Sequence, residues 1–353
     1  MMRLLVTGGA GFIGSNFVHR AIGAGHGVIN MDALSYAGNL DNLADLHNTP
    51  RHLFVHGSIN DRALVARLLT EHQPDALLNF AAESHVDRSI EDPGSFVRTN
   101  IDGTYELLEA ALAYWRESNT GARAGFRLLH VSTDEVYGSI AEGRFTEDSR
   151  YAPNSPYAAS KASADHLVRA FNRTYGLPTL ITNCGNNYGP RQFPEKLIPH
   201  IILSALAGAK LPIYGDGKQV RDWLHVDDHC DALMRIVQRG VPGETYNVGG
   251  NGERTNLEVV HALCAELDAL RPQADGRSYR AQIESVADRP GHDRRYALDA
   301  TKLTETLGWR AAVGFADGLR RTVQWYLANL AWCEKIKTGG YRVTRLGLGR
   351  AAG

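Results

Sequence analysis

The sequence predicts an α/β protein built on a parallel, doubly wound sheet. Short apolar runs with the length and composition of buried strands recur along the first half, at residues 3–6, 28–31, 53–57, 76–80 and 126–131. Stretches with helical spacing lie between several of them, most clearly at 62–69 and 93–115. Strands that alternate with helices in this way pair in parallel, and the helices cover both faces of the sheet.

A glycine-rich turn follows the first strand and precedes a helix. Gly8, Gly11 and Gly14 are spaced three residues apart in this turn. The early glycines let backbone amides approach a pyrophosphate at the helix N-terminus, and the last one lets the helix pack closely on the strand. A glycine motif in this strand–turn–helix setting is typical of Rossmann-type dinucleotide-binding domains.

The second strand ends in a carboxylate that bears on the choice of dinucleotide. Asp32 lies eighteen residues after Gly14. An acidic residue there can bind both hydroxyls of the adenosine ribose and repels a 2′-phosphate, which favours NAD over NADP. The alternative is that Asp32 only caps the strand end.

Small residues follow the fourth strand. Ala81 and Ala82 leave room for a cofactor to approach, and Ser84 adds a hydroxyl. In open α/β sheets ligands bind outside the carboxyl ends of the strands, so these residues are candidate ligand contacts.

Two adjacent carboxylates follow the fifth strand. Asp134 and Glu135 come directly after Ser132 and Thr133. Successive residues at a strand end can project toward different sides of a ligand, so one carboxyl group can act as an acid and the other as a base. The alternative is a strand-to-loop junction with solvated charges.

Tyr157 and Lys161 form a second candidate pair. Prolines at 153 and 156 mark a loop and a helix start, and residues four apart share a helix face. We expect the ammonium to stabilise the phenolate and to lower the tyrosine pKa, which makes a base for a sugar hydroxyl. The alternative is an ordinary surface tyrosine and lysine.

Bulk properties exclude several classes of protein. The net charge of −1 provides no overall field for nucleic acid or an anionic membrane. Four widely spaced cysteines without a CxxC pair argue against a disulfide framework or a zinc site. No stretch has the ~18 apolar residues of a membrane span, and the apolar start is too short for a secretory signal. We therefore expect a cytoplasmic protein without a metal.

The 353 residues suffice for about two domains. We assign residues 1–183 to the dinucleotide-binding domain and 184–337 to a smaller, interleaved α/β domain that binds substrate. A strand near 244–249 returns to the first domain, so the second is discontinuous. Residues 338–353 lack periodicity, and we expect a disordered tail.

Taken together, these motifs resemble the extended short-chain dehydrogenase/reductases that act on nucleotide sugars. The Ser-Thr-Asp-Glu-Val-Tyr-Gly cluster at 132–138 narrows the resemblance to the dTDP-glucose 4,6-dehydratase family. Further matching blocks lie at 81–89, 186–190, 193–199, 214–217, 221–223 and 288–293. The resemblance covers about residues 2–330.

The resemblance implies that dTDP-glucose is converted to dTDP-4-keto-6-deoxyglucose and water by an enzyme that keeps its NAD bound. Tyr157, assisted by Lys161 and Thr133, would take the proton of the C4 hydroxyl while hydride leaves for NAD. Glu135 would remove the C5 proton, Asp134 would protonate the departing C6 hydroxyl, and NADH would return the hydride to C6. A 4-epimerase eliminates no water and has no need of the two carboxylates.

The resemblance also implies two sets of binding residues. Those for NAD are Gly8, Gly11, Phe12, Ile13, Gly14, Asp32, Ser35, Ser58, Ile59, Phe80, Ala81, Ala82, Ser84, Thr99, Tyr157, Lys161 and Asn187. Those for the nucleotide sugar are Ser84, Thr133, Asn186, Lys196, Leu197, Pro212, Tyr214, Arg221, Asn256, Asp288 and His292. The alternatives are a surface ion pair for Arg221 and a helix cap for Asn256.

Two further expectations come from the family. Ser58 stands where relatives commonly have an aspartate on the adenine amino group, and a neutral acceptor is weaker than a charged one, so we expect looser retention of NAD. Relatives form homodimers by packing the helix after Thr99 and the helix that carries Tyr157 into a four-helix bundle. Alanines at 110–111 and 158–159 would allow such an approach, although small residues also pack within a monomer.

Two other functions stay open from the sequence. One is another nucleotide-sugar enzyme, either a UDP- or GDP-hexose dehydratase or a 4-epimerase. The other is a non-catalytic protein that senses NAD(H) by binding it, which would not need Tyr157, Lys161 and the two carboxylates together.

Overall fold

The computed structural model describes residues 1–117, 125–288 and 291–338. Its strands are β1 (Arg3–Thr7), β2 (Gly27–Asp32), β3 (His52–His56), β4 (Ala76–Asn79), β5 (Arg127–Thr133), β6 (Thr179–Cys184), β7 (Asn186–Tyr188), β8 (Leu211–Tyr214), β9 (Val220–His225), β10 (Thr245–Val248), β11 (Glu253–Thr255) and β12 (Ile283–Val286). Its α-helices are α1 (Phe12–Gly23), α2 (Arg62–His72), α3 (Val86–Glu91), α4 (Pro93–Phe96), α5 (Gly103–Glu117), α6 (Pro156–Tyr175), α7 (Leu197–Leu206), α8 (Val226–Arg239), α9 (Asn256–Leu270), α10 (Thr301–Leu307), α11 (Phe315–Ala328) and α12 (Leu330–Thr338).

Seven of these strands form one parallel sheet in the order β10-β6-β5-β4-β1-β2-β3. The chain moves outward from β1 in both directions, through β2 and β3 on one side and β4, β5 and β6 on the other. The carboxyl ends of β1 and β4 therefore border the point where the strand order reverses, which is where open α/β sheets bind ligands. The predicted doubly wound α/β fold is confirmed.

Apolar side chains bury both faces of this sheet. In β1, Leu4 and Val6 pack into one core with Phe17 of α1, whereas Leu5 faces the opposite core with Leu68 of α2. All three strand residues are almost fully buried, and each such side chain contributes about 1.5–3 kcal/mol to stability. This alternation explains why the strands appear as continuous apolar runs in the sequence.

The long helix predicted over 93–115 is interrupted. Between α4 and α5 the segment Val97–Asp102 winds as a π-helix. Within it the Asn100 side chain accepts a hydrogen bond from Glu83 N at 2.9 Å and donates one to Glu83 O at 2.9 Å. The widened turn thus ties the helix to the loop after β4, in keeping with the frequent occurrence of π-turns at functional sites.

The later part of the chain adds two small sheets, β11-β9-β7 and β12-β8. They pack with α7, α9 and α11 around a separate apolar core that includes Ile202, Leu263 and Val323. β10 leaves this region and pairs in parallel with β6 in the large sheet. The two parts of the chain therefore share the edge formed by β6 and β10.

Some residues considered above lie outside the described ranges. They include 339–353, most of the predicted tail, and two positions of the 288–293 block. Within the ranges that are described, no helix combines the length and apolar character that a membrane span requires.

Candidate active site

A cavity of about 330 Å³ opens at the carboxyl ends of the central strands. It brings together most of the predicted site residues. They are Gly8, Gly11, Phe12, Ile13, Gly14, Asp32, Ser35, Ser58, Ile59, Phe80, Ala81, Ala82, Ser84, Thr99, Thr133, Asp134, Glu135, Tyr157, Lys161, Asn186, Asn187 and Lys196.

The glycine turn forms a cradle of backbone atoms in which Gly8 and Gly14 have no room for a side chain. Gly8 has a φ of +71°, and a Cβ there would lie 2.6 Å from Ala81 N. A Cβ on Gly14 would lie 2.2 Å from Gly8 O. No described side chain caps α1, so its first amides are available toward the cavity. This cradle fits the pyrophosphate of a dinucleotide.

Asp32 is held at the edge of the cavity by backbone donors. Its Oδ2 accepts a hydrogen bond from Ala10 N at 2.9 Å, and its Oδ1 accepts one from Leu34 N at 2.8 Å. Burial raises its pKa, and these two bonds oppose that rise. A carboxylate oriented in this way retains acceptor capacity for ribose hydroxyls, so the residues present fit NAD.

Asp134 is a buried carboxyl group on a short turn. Thr133 Oγ1 starts that turn by accepting a hydrogen bond from Glu135 N at 3.3 Å, and it donates one to Asp134 Oδ1 at 3.3 Å. Asp134 Oδ2 has no hydrogen-bond partner among the described residues. Burial, and then the charge of Glu135, raise the pKa of Asp134 well above its usual range. The raised pKa favours the protonated form of Asp134, which is the form that a general acid needs.

Tyr157 lies in the first turn of α6, where Ser155 Oγ caps the helix by accepting a hydrogen bond from Ala158 N. Burial and then the charge of Glu135 raise the Tyr157 pKa well above its usual value, and a hydrogen bond with Thr133 opposes the rise. The prediction that Lys161 lowers the pKa of Tyr157 is therefore wrong. Tyr157 is enclosed by protein, and the cost of desolvating its phenolate outweighs the stabilisation that Lys161 offers from the same helix face.

Asn187 and Lys196 tie loops together beside the cavity. Asn187 Nδ2 donates a hydrogen bond to Gly185 O at 3.0 Å, and its Oδ1 lies 3.0 Å from Nδ1 of the buried His229. Lys196 Nζ donates to Ser84 O at 2.9 Å. The Lys196 contact joins the segment before α7 to the loop after β4, and the His229 contact joins β7 to α8.

Seven predicted substrate residues do not line this cavity: Leu197, Pro212, Tyr214, Arg221, Asn256, Asp288 and His292. Three of them form a cluster of their own. His292 lies edge-on to the Tyr214 ring, with centroids 6.4 Å apart, and its Nδ1 lies 2.6 Å from Asp288 Oδ1. Pro212 is on the same strand as Tyr214, and Leu197 begins α7.

Arg221 is buried, so it is not the surface residue considered as its alternative. Its guanidinium lies 4.4 Å from the centre of the Tyr296 ring and donates a hydrogen bond to Asp293 O at 3.0 Å. Its charge also opposes the rise in the pKa of Asp134.

Asn256 is not a helix cap. The neighbouring Thr255 caps α9 through a reciprocal capping box with Glu258. Asn256 begins the helix, and its backbone N donates a hydrogen bond to Gln219 O at 3.0 Å. Its side chain is therefore not required for helix capping.

The cavity also contains residues that sequence reasoning did not select, among them Glu83, Gln192 and Glu195. Tyr36 OH donates a hydrogen bond to Glu195 Oε1 at 2.9 Å, and the Arg88 guanidinium lies 3.9 Å from the Tyr36 ring centre. The sequence contained one signal for Glu195, because this residue belongs to the 193–199 block that resembles the family. Among the described residues, no cluster of three or more His, Cys, Asp or Glu side chains is suited to a metal.

The fold and the site define a short-chain dehydrogenase/reductase of the extended type. A parallel dinucleotide-binding sheet and a Tyr-x-x-x-Lys helix meet at one cavity. Residues 5–322 match the profile of the family described as GDP-mannose 4,6 dehydratase.

Full-length relatives narrow this assignment. A dTDP-glucose 4,6-dehydratase from Xanthomonas campestris pv. campestris (strain B100) is 62% identical over 348 residues, covering 98% of this chain and 99% of the relative. One from Escherichia coli (strain K12) is 53% identical over 352 residues, covering 97% of each chain. The dTDP-glucose 4,6-dehydratase of Streptomyces venezuelae, solved with NAD bound, has a TM-score of 0.86 at 50% identity and covers 95% of this chain and 100% of its own. This chain belongs to the dTDP-glucose 4,6-dehydratase family.

Asp134→Asn should lower kcat about 100-fold or more, because the amide cannot supply the proton that a general acid supplies. In the wild type, kcat should fall as pH rises through the raised pKa of Asp134.

Asp134→Asn should also unfold at a higher temperature than the wild type. Above pH 3.8 the unfolded chain ionises Asp134 while the folded chain keeps it protonated, so stability falls as pH rises toward the folded pKa.

The measurements are steady-state kinetics and thermal unfolding across a pH series. Asp148→Asn, at an exposed position in the loop between β5 and α6, is the matched control and should change neither property. A kcat for Asp134→Asn within tenfold of wild type would contradict the assigned protonation of Asp134.

Ser58→Asp should retain NAD about tenfold more tightly, because a charged acceptor forms the stronger hydrogen bond. In the structure Ser58 Oγ donates to Asn60 Oδ1 at 3.1 Å and accepts from Asn60 N at 3.2 Å at the cavity edge. Release of NAD from dilute protein during gel filtration measures the effect. Equal NAD content in Ser58→Asp, Ser58→Ala and wild type would refute it.

Proposed function

We propose that this chain binds NAD and converts dTDP-glucose to dTDP-4-keto-6-deoxyglucose and water. The observation that carries the proposal is the placement of the buried Asp134, whose pKa is raised, next to Glu135 and with Tyr157 in one cavity. Loss of water needs both an acid and a base at neighbouring atoms of the sugar, whereas epimerisation at C4 needs neither carboxyl group.

Five residues share the chemistry in this proposal. Tyr157 accepts the proton of the C4 hydroxyl after it has ionised to a phenolate, Lys161 supplies the positive charge that this phenolate needs, and Thr133 Oγ1 orients the sugar oxygen. Once C4 is a ketone, the C5 hydrogen is acidic and Glu135 removes it. Asp134 gives its proton to the departing C6 hydroxyl, which leaves as water, and C5 regains a proton when hydride has been returned to C6. Bound NAD supplies the hydride acceptor at C4 and the hydride donor at C6.

The nucleotide end of the substrate lies in the second part of the chain in this proposal. Tyr214 on β8 offers an aromatic face for a pyrimidine, and Pro212 on the same strand adds an apolar surface. Asp288 and His292 form the polar side of that cluster. Arg221 and Lys196 supply cations for the diphosphate.

We infer that two copies pair through α5 and α6 in a four-helix bundle. Ala110, Ala111 and Ala158 are buried within the chain, so they pack the monomer and do not form a contact between copies. The support comes from Tyr105 and Tyr175, which are 40% and 43% exposed and pack edge-on against Phe171 of α6.

Tyr105→Glu should convert the dimer to a monomer, because a carboxylate enclosed between two copies loses its hydration. Sedimentation equilibrium would measure the mass of each variant. Val241→Glu, at a position 57% exposed in the loop after α8, is the matched control and should stay dimeric. A wild-type protein that sediments as a monomer would exclude the bundle.

The activity is tested by incubating the purified protein with dTDP-glucose, first without and then with added NAD. We expect loss of one water in the mass spectrum and the absorbance of a 4-keto sugar in alkali. Glu135→Gln and Tyr157→Phe should each lose about 100-fold or more in kcat. Turnover only after NAD is added would support the weak retention attributed to Ser58.

The same assay separates the other functions. If dTDP-glucose stays unchanged while a UDP- or GDP-hexose loses water, the nucleotide assignment is wrong. Interconversion of epimers without loss of water would identify a 4-epimerase. Binding of NAD without turnover of any of these sugars would favour the sensor.

A further inference from the structure

We propose that Asp165 is a positioning residue, whose buried carboxylate is the counter-ion that keeps the Lys161 amine protonated beside Tyr157. This inference rests on the proposed function, in which the Lys161 ammonium assists Tyr157. Asp165 follows Lys161 by four residues on α6, so the two side chains leave the same face of the helix.

The Lys161 amine is enclosed by protein. Its side chain is buried, and Nζ donates a hydrogen bond to Val131 O at 2.9 Å. Nζ also lies 3.3 Å from His130 Nε2. A carbonyl and a neutral ring do not compensate the cost of burying an ammonium, which requires an opposite charge nearby.

Asp165 supplies that charge close to the same nitrogen of His130. It is fully buried, and its Oδ1 lies 3.5 Å from His130 Nε2, the ring nitrogen that Lys161 Nζ approaches at 3.3 Å. The imidazole is neutral, because burial and then Lys161 hold its pKa well below the usual range. The arrangement therefore contains one cation and one anion that both lie near one nitrogen of an uncharged ring.

Two hydroxyl groups hold the Asp165 carboxylate in place. Ser132 Oγ donates to Asp165 Oδ2 at 2.8 Å, and Tyr151 OH donates to the same oxygen at 3.0 Å. Ser132 directly precedes Thr133 on β5. The carboxylate thus links the helix that carries Tyr157 and Lys161 to the strand end that carries the catalytic turn.

The influence of each charge on the other is reciprocal. Burial lowers the pKa of Lys161, and Asp165 is the main influence that opposes this. Burial raises the pKa of Asp165 to about 6, and Lys161 is the main influence that opposes that rise. The two residues therefore stabilise each other's charged forms near neutral pH.

Other titratable or charged groups face the pair from β5, the loop before α6, α6 itself and β6. They are His130, Tyr151, Tyr157, Arg169 and Cys184. Burial raises the pKa of the Cys184 thiol to about 12, so it is neutral. The tyrosines are neutral too, because burial raises their pKa values. Asp165 is therefore the anion in this set.

Asp165→Asn tests the proposal, because the amide keeps the shape and removes the charge. The pH profile is measured for the oxidation step, followed as NADH formation in a single turnover at saturating dTDP-glucose and NAD, because Asp134 and Glu135 act only in the later loss of water. Without the carboxylate Lys161 loses its proton more readily, so the alkaline limb should move to lower pH by about one unit or more. An alkaline limb that coincides with that of the wild type would overturn the role of Asp165.

Tyr151→Phe is the matched variant, since it removes one donor to Asp165 and leaves the charge in place. Its alkaline limb should stay where it is in the wild type. Its acid limb should move to higher pH, because a carboxylate with one donor fewer has a higher pKa. If Asp165→Asn fails to fold, Tyr151→Phe still tests the proposal. An acid limb of Tyr151→Phe that stays at its wild-type position would overturn the role of Asp165.

The wild-type assay keeps the two proposals separate. A wild-type protein that does not consume dTDP-glucose overturns the proposed function itself. An active wild type together with unmoved limbs in these variants overturns only the role of Asp165.

Discussion

Burial of both faces of the central sheet is the constraint on which the rest of this structure depends. β4 and β6 are buried from end to end, with one apolar core on each side of the sheet. An unpaired polar group in such surroundings costs several kcal/mol, which favours polar side chains at the strand ends or in networks that satisfy one another. Thr7, Asn79 and His130 form such a network across three adjacent strands.

The same exclusion of water sets the protonation states in the cavity. Burial favours the neutral forms of Asp134 and Tyr157 because their charged forms would lose hydration, and the nearby Glu135 strengthens both effects. A buried acid is thereby ready to donate, whereas a buried phenol needs a cation before it can ionise. For the ionisation of Tyr157, the position and charge of Lys161 consequently matter more than the number of hydrogen bonds that Lys161 forms.

Much of the site could be predicted because short motifs carry its chemistry. The glycine turn, Asp32, the 132–138 cluster and the Tyr157–Lys161 pair are each local in sequence and lie at predictable strand or helix ends. Glu195 and Arg88 could not be placed, since the contact of each with Tyr36 joins segments far apart in the chain. The π-turn at Asn100 was not predicted either, because its wider winding depends on contacts with the loop after β4.

The sequence by itself determined the parallel sheet, the dinucleotide cradle and the residue types of the reaction, because these follow from local periodicity and from spacings of a few residues. The tertiary structure decided which groups are charged. Asp165 is an ordinary helix residue in the sequence, and only its enclosure with Lys161 and His130 makes it a counter-ion. The pKa of Tyr157 likewise rises because of burial, where helix spacing predicted a fall. Desolvation depends on every element packed around a group, and no local pattern contains that information.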